Sequence, residues 1–88
     1  MKFDIRKSFL KDLKKIDDKK LKEDIKSLFT LIEAISTLDE IPNLKKIKGV
    51  KGFYRVRLKG YRVGFEYKEN KITFIRVLPR KDIYKFFP

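Results

Sequence analysis

The sequence contains no cysteine, no histidine and no tryptophan among its 88 residues. Without cysteine there can be neither a disulfide framework nor a thiolate metal site. Without histidine, the usual zinc ligand sets, His-based triads and imidazole general bases are excluded. Any chemistry falls to Lys, Arg, Tyr, Asp, Glu, Ser or the backbone, and no metal or cofactor is expected. No apolar run approaches the roughly 18–20 residues of a membrane helix. The opening Met1-Lys2-Phe3-Asp4-Ile5-Arg6-Lys7 alternates its charges and lacks the apolar core of a signal peptide. A cytoplasmic protein with no membrane partner is the expectation.

Negative charge is missing locally as well. Between Glu40 and Glu66 there is no acidic residue, yet that stretch carries Lys45, Lys46, Lys48, Lys51, Arg55, Arg57, Lys59 and Arg62. The formal net charge is +12, so two thirds of the excess lies in one segment. A pI near 10.0 predicts attraction to nucleic acid or to an acidic protein. With 42% hydrophobic and 41% charged residues, the chain reads as one small globular domain over 1–88 with a densely charged shell.

Periodicity outlines the elements. Phe3 and Ile5 alternate with Lys2, Asp4 and Arg6, as in a short strand. Ser8 is a candidate N-cap for a helix carrying Phe9, Leu10, Leu13 and Ile16, and Asp18 for a longer one. In the second helix Leu21, Ile25, Leu28, Ile32 and Ile35 form one apolar stripe. Thr37 to Gly52 reads as a connection tacked down by Ile41, Leu44 and Ile47. Three strand-like runs follow: Phe53–Leu58, Tyr61–Tyr67 and Ile72–Leu78, the last apolar enough for a central strand. The expected architecture is β-α-α-β-β-β. This is an α+β domain with an N-terminal helical hairpin packed on a mostly antiparallel four-stranded sheet.

Strand alternation sorts the cations. Side chains on a strand point to opposite faces with a period of two, so Arg55, Arg57 and Lys59 share one face and Tyr54, Val56 and Leu58 the other. If Lys59-Gly60 is a two-residue turn, Leu58 pairs with Tyr61, Arg57 with Arg62, Val56 with Val63 and Arg55 with Gly64. A type I turn with a glycine bulge is the alternative and would shift the pairing locally without changing which face is which. Arg62 then joins Arg55 and Arg57, and Gly64 leaves open space beside them. Pro79 stops the last strand and sets Arg80 just beyond its end, with Tyr84 four residues on. The cluster reads either as solvated surface charge or as a cradle in which Arg forks match phosphate. Tyr84 reads equally as C-terminal packing, and Phe86 and Phe87 as packed on the sheet or covered by a partner.

Three blocks together are similar to the RelE/ParE superfamily of bacterial and archaeal toxins. They are Lys46-Ile47-Lys48-Gly49-Val50-Lys51-Gly52-Phe53-Tyr54-Arg55-Val56-Arg57, then Gly60-Tyr61-Arg62-Val63, then Val77-Leu78-Pro79-Arg80-Lys81-Asp82-Ile83-Tyr84. The resemblance spans essentially the whole chain and implies a RelE-like fold. It also implies the toxin of a type II toxin–antitoxin system, monomeric within a hetero-oligomer and covered by an acidic antitoxin. Its RelE branch cleaves mRNA in the ribosomal A site by attack of a ribose 2′-oxygen, without a metal. By the same resemblance Arg55, Arg57, Arg62, Arg80 and Tyr84 are the catalytic set. Lys45, Lys46, Lys48, Lys51, Lys59 and Lys81 are expected to contact ribosomal RNA. The pattern departs from the family at two places. Arginine stands at both strand positions where RelE has lysine, leaving Lys59 to substitute or the arginines to act by charge alone, and Leu78-Pro79 replaces a glycine-led pair. The alternatives are a ParE-like inhibitor of DNA gyrase and a non-catalytic basic RNA-binding module.

Overall fold

The computed structural model describes Met1–Pro88. The chain runs β1 (Lys2–Ile5), α1 (Lys7–Lys14), α2 (Lys19–Ala34), a 3-10 turn (Leu38–Glu40), β2 (Leu44–Lys46), β3 (Phe53–Leu58), β4 (Tyr61–Lys68), β5 (Lys71–Pro79) and α3 (Arg80–Phe86). The strand order is β1-β5-β4-β3-β2, with β1 parallel to β5 and every other pair antiparallel. The α+β class and the helical hairpin are as the sequence predicts. The strand count is corrected from four to five, because Leu44-Lys45-Lys46, inside the expected connection, pairs with β3. Three residues are too few for alternation to register as a pattern. None of the helices is long and apolar enough to cross a membrane.

The apolar stripe of α2 packs as its spacing requires, with Leu21, Ile25, Leu28 and Ile32 all buried. Asp18 caps that helix, its carboxylate accepting the Leu21 N–H at 3.1 Å. The expected Ser8 cap is not formed. Helix α1 starts one residue before Ser8 with Arg6 at its cap position, and the Ser8 hydroxyl instead donates to the Ile75 carbonyl at 2.6 Å. The core lies between the hairpin and one sheet face, where Phe9, Phe65 and Phe74 are fully buried beside Val56, Val63, Ile72 and Val77. The rings of Phe29 and Phe74 approach to 4.9 Å, and those of Phe9 and Phe74 to 5.5 Å.

A bulge in β5 decides what the other face carries. Phe65 pairs with Phe74 but the preceding Gly64 pairs with Arg76, so Ile75 has no partner. Such an extra residue shifts the alternation beyond it. Phe74 and Val77 therefore both face the core, while Arg76 joins Gly64 on the opposite face. β1 ends at Ile5, which leaves this part of β5 without a neighbouring strand on one side. Helix α1 covers that edge. Asp12, 5% exposed, accepts the Val77 N–H at 3.0 Å and holds Arg76 through two bonds, Nε at 2.8 Å and Nη2 at 2.9 Å.

The second sheet face is partly covered by α3, which Pro79 introduces with its fixed φ. Ile83 and Phe87 are buried there, and the Phe87 ring lies 5.9 Å from that of Phe53. Gly64 does not leave open space, as alternation alone suggests. A Cβ at that position would stand 2.7 Å from the Phe87 ring, so the ring occupies the room that the missing side chain provides.

Candidate active site

Of the two turns that the sequence allows, the structure has the two-residue one, with Arg55 opposite Gly64, Arg57 opposite Arg62 and Leu58 opposite Tyr61. The turn is tight enough to hold Lys59 at φ +54, a left-handed conformation that is unusual for lysine. Arg62 compensates by donating from Nη1 to the carbonyls of Lys59 at 3.0 Å and Tyr61 at 2.9 Å. The Arg80 N–H donates to the Gly60 carbonyl at 2.9 Å. That bond ties the start of α3 to the hairpin tip and brings Arg80 beside Arg62. Tyr84 lies four residues along α3, one turn on and on the same side. The guanidinium carbon of Arg55 lies 4.8 Å from the centroid of its ring.

These side chains line one concavity of about 410 Å³, made of Asn43, Leu44, Lys45, Arg55, Arg57, Arg62, Arg80 and Tyr84. No carboxylate lines it, and none of the four ion pairs in the protein involves its cations. Arg57 is steadied by the Asn43 side chain, donating from Nη2 to Oδ1 at 3.1 Å. Burial lowers the Arg62 pKa from its ordinary value, and the charges of Arg80, Arg55 and Arg57 add to this while Tyr84 opposes it. For Tyr84, desolvation disfavours the phenolate. The neighbouring guanidinium groups, Arg55 first and then Arg80, outweigh it, so its pKa falls below the ordinary tyrosine value. The site can thus concentrate positive charge around an anion and hold a phenol that ionises more readily than usual. No three acidic side chains gather anywhere to form a cation site.

The five residues expected to be catalytic are therefore brought together, whereas the expected RNA-contacting lysines are divided. Lys45 pairs with Arg55 and shares its face, but Lys46 pairs with Tyr54 and points to the other side. Lys46, Lys48 and Lys51 border a separate hollow at the β2–β3 loop. Lys59 and Lys81 are exposed and do not line the arginine concavity. Sequence reasoning passes over Asn43, which sits at φ +60 and positions Arg57. The Pro42-Asn43 pair, a turn signal in which asparagine tolerates the left-handed region, is the clue to it.

Comparison with known proteins fits this architecture. The model for the ParE toxin of the parDE type II toxin–antitoxin system matches residues 3–84. The chain is 38% identical over 89 residues to toxin RelE3 of Methanocaldococcus jannaschii, covering 100% of both. Its structure resembles the RelB–RelE antitoxin–toxin complex from Methanococcus jannaschii with a TM-score of 0.84 and 36% identity, covering 97% of this chain and 99% of that one. The archaeal RelE–RelB complex from Pyrococcus horikoshii OT3 shares the fold at a TM-score of 0.70 and 22% identity, covering 90% and 93%. The chain belongs to the RelE/ParE superfamily, the toxins of type II toxin–antitoxin systems.

Proposed function

We propose that this protein is the toxin of a RelB–RelE-type pair and cleaves ribosome-bound mRNA. The observation that carries the reading is the meeting of Arg55, Arg57, Arg62 and Arg80 with an acidified Tyr84 over one acid-free concavity. In the reaction, the ribose 2′-hydroxyl gives its proton to the Tyr84 phenolate as the 2′-oxygen bonds to the adjacent phosphorus. The bond from phosphorus to the 5′-oxygen breaks, the departing oxygen takes a proton from solvent, and a 2′,3′-cyclic phosphate remains. The guanidinium groups face the charge that builds on the phosphorane oxygens, where fixed donors contribute most. An arginine is never the base at neutral pH, and Lys59 lies outside the concavity. Of Lys45 and Tyr84, which both line it, the role falls to Tyr84, whose phenolate the neighbouring Arg55 and Arg80 favour. An acidic antitoxin is the partner that a chain of net charge +12 would bind, and the solved RelE relatives are complexes with RelB.

The test is primer extension on a transcript in a translation extract given the purified protein. Cuts in the translated transcript, and none when initiation is blocked, are the expected result. The matching family description is that of ParE, which favours a second reading as a gyrase-binding toxin. Intact transcripts with inhibited supercoiling would establish that reading instead.

The lowered Tyr84 pKa sets the pH dependence. Since the phenolate is the reactive form, the rate rises with pH until Tyr84 is ionised, and the limb lies below that of an ordinary tyrosine. Arg55→Gln removes the first stabilising charge on the phenolate, so the limb moves to higher pH. A limb unmoved in that variant would take Tyr84 out of the proton transfer.

A further inference from the structure

Helix α3 has only seven residues, too few to persist without tertiary anchors. Its beginning is fixed by the Arg80 N–H bond to Gly60 and by buried Ile83. Tyr84 lies beyond those anchors, 59% exposed, so its place over Arg55 depends on what holds the far end. Two aromatics do so. Phe87 fills the notch above Gly64, and the Phe86 ring lies 5.6 Å from the guanidinium carbon of Arg76. Gly64 and Arg76 are direct cross-strand partners. Phe86 and Phe87 thus rest on one pair of neighbouring positions, which exists because the bulge at Ile75 turns Arg76 to this face. Asp12 in turn fixes Arg76 from α1.

We propose that Phe86 and Phe87 are a latch that positions Tyr84 against Arg55, seated on Gly64 and on the Asp12-anchored Arg76. The role rests on the reading of Tyr84 as the proton acceptor, but the latch itself is a property of the fold. The arginines that grip substrate stay where they are without it: Arg55, Arg57 and Arg62 sit on strands, and Arg80 is held at the start of α3. Loss of the latch therefore slows chemistry without weakening binding, since misplacing a reacting group lowers the rate rather than affinity.

The experiment compares Phe87→Ala, Phe87→Leu, Gly64→Ala and the Phe87→Ala/Gly64→Ala pair, with circular dichroism as a check on the fold. Cleavage of a translated transcript by Phe87→Ala should fall about ten- to a hundred-fold in kcat, with KM within about two-fold of wild type. Phe87→Leu, which refills the notch, should recover most of the rate. Gly64→Ala displaces the ring from below and should reproduce Phe87→Ala, while the pair should be no worse than Phe87→Ala alone, because the clash is then gone. The second readout needs no substrate. Ultraviolet titration, with Tyr84→Phe identifying the Tyr84 component among the four tyrosines, should show Tyr84 ionising at higher pH once Phe87 is removed. Wild-type kcat with an unmoved Tyr84 titration in Phe87→Ala overturns the latch, as does a Gly64→Ala effect that adds fully to it. A wild-type protein that cuts no transcript removes the functional reading alone, and the Tyr84 titration then decides the latch by itself.

Discussion

Arg80→Ala is expected to lower cleavage of a translated transcript by about 10²–10³-fold, the usual loss when a preorganised donor to developing charge is removed. The same substitution should leave the unfolding curve within about 0.5 kcal/mol of wild type. The separation follows from how Arg80 is held. Its backbone N–H makes the bond to the Gly60 carbonyl, and alanine keeps that bond. Its exposed side chain has no carboxylate partner and faces the concavity, and alanine is at least as good a helix former. Arg62→Ala should cost a similar factor in rate but does not separate so cleanly. It also strips the carbonyls of Lys59 and Tyr61 of their donor, adding about 1 kcal/mol of destabilisation at a turn already strained by Lys59. Single-turnover cleavage measured beside thermal unfolding distinguishes the two arginines. An Arg80→Ala protein that cuts at the wild-type rate would remove that residue from the mechanism.

The arginine face was legible because its signal is short-ranged. Alternation from Tyr54 to Leu58 determines which side chains share a face whichever turn joins the strands, and the two-residue turn then sets which lie opposite. Pro79 already suggested that Arg80 stands where it can turn to this face, but its meeting with Tyr84 there was legible only through family resemblance, since the tether from Gly60 to Arg80 joins residues twenty apart. What escaped was set by tertiary context. The strand at Leu44–Lys46 exists because β3 offers it an edge, and it divides Lys45 from Lys46. Ser8 looked like a cap because caps are read locally, yet its hydroxyl serves a carbonyl exposed by the bulge in β5. That bulge did leave a trace. Strict alternation from Ile72 and Phe74 would have put Arg76 in the core, so a cation at that position is itself a sign that the register slips. The glycine at position 64 looked like vacant space because the ring that fills it comes from the end of the chain.

Asp12→Ala should destabilise the fold by about 3 kcal/mol, the low end of the range for breaking a buried ion pair by removing one partner, because the Arg76 side chain left behind is 25% exposed. In a domain whose total stability is of the order of 5–15 kcal/mol, that is a large share of the whole. The magnitude follows from three bonds lost together. Arg76 would remain under Phe86 with no counter-charge, and the Val77 N–H would lie on a strand edge that β1 does not reach. Arg76→Met added to Asp12→Ala should recover part of the loss, since methionine packs against Phe86 and no uncompensated charge is left. The Val77 N–H keeps the recovery incomplete. Urea unfolding of the three proteins checks this: midpoints should fall in the order wild type, double variant, Asp12→Ala, with unchanged slopes. If the double variant were no more stable than Asp12→Ala, the stranded charge would not be the main cost, and the bare edge of β5 would be. Either way the effect should extend beyond α1. The Asp12–Arg76 pair lies beneath Phe86, so weakening it loosens the helix that carries Tyr84 and couples the stability of one sheet edge to the geometry of the cleft on the opposite face.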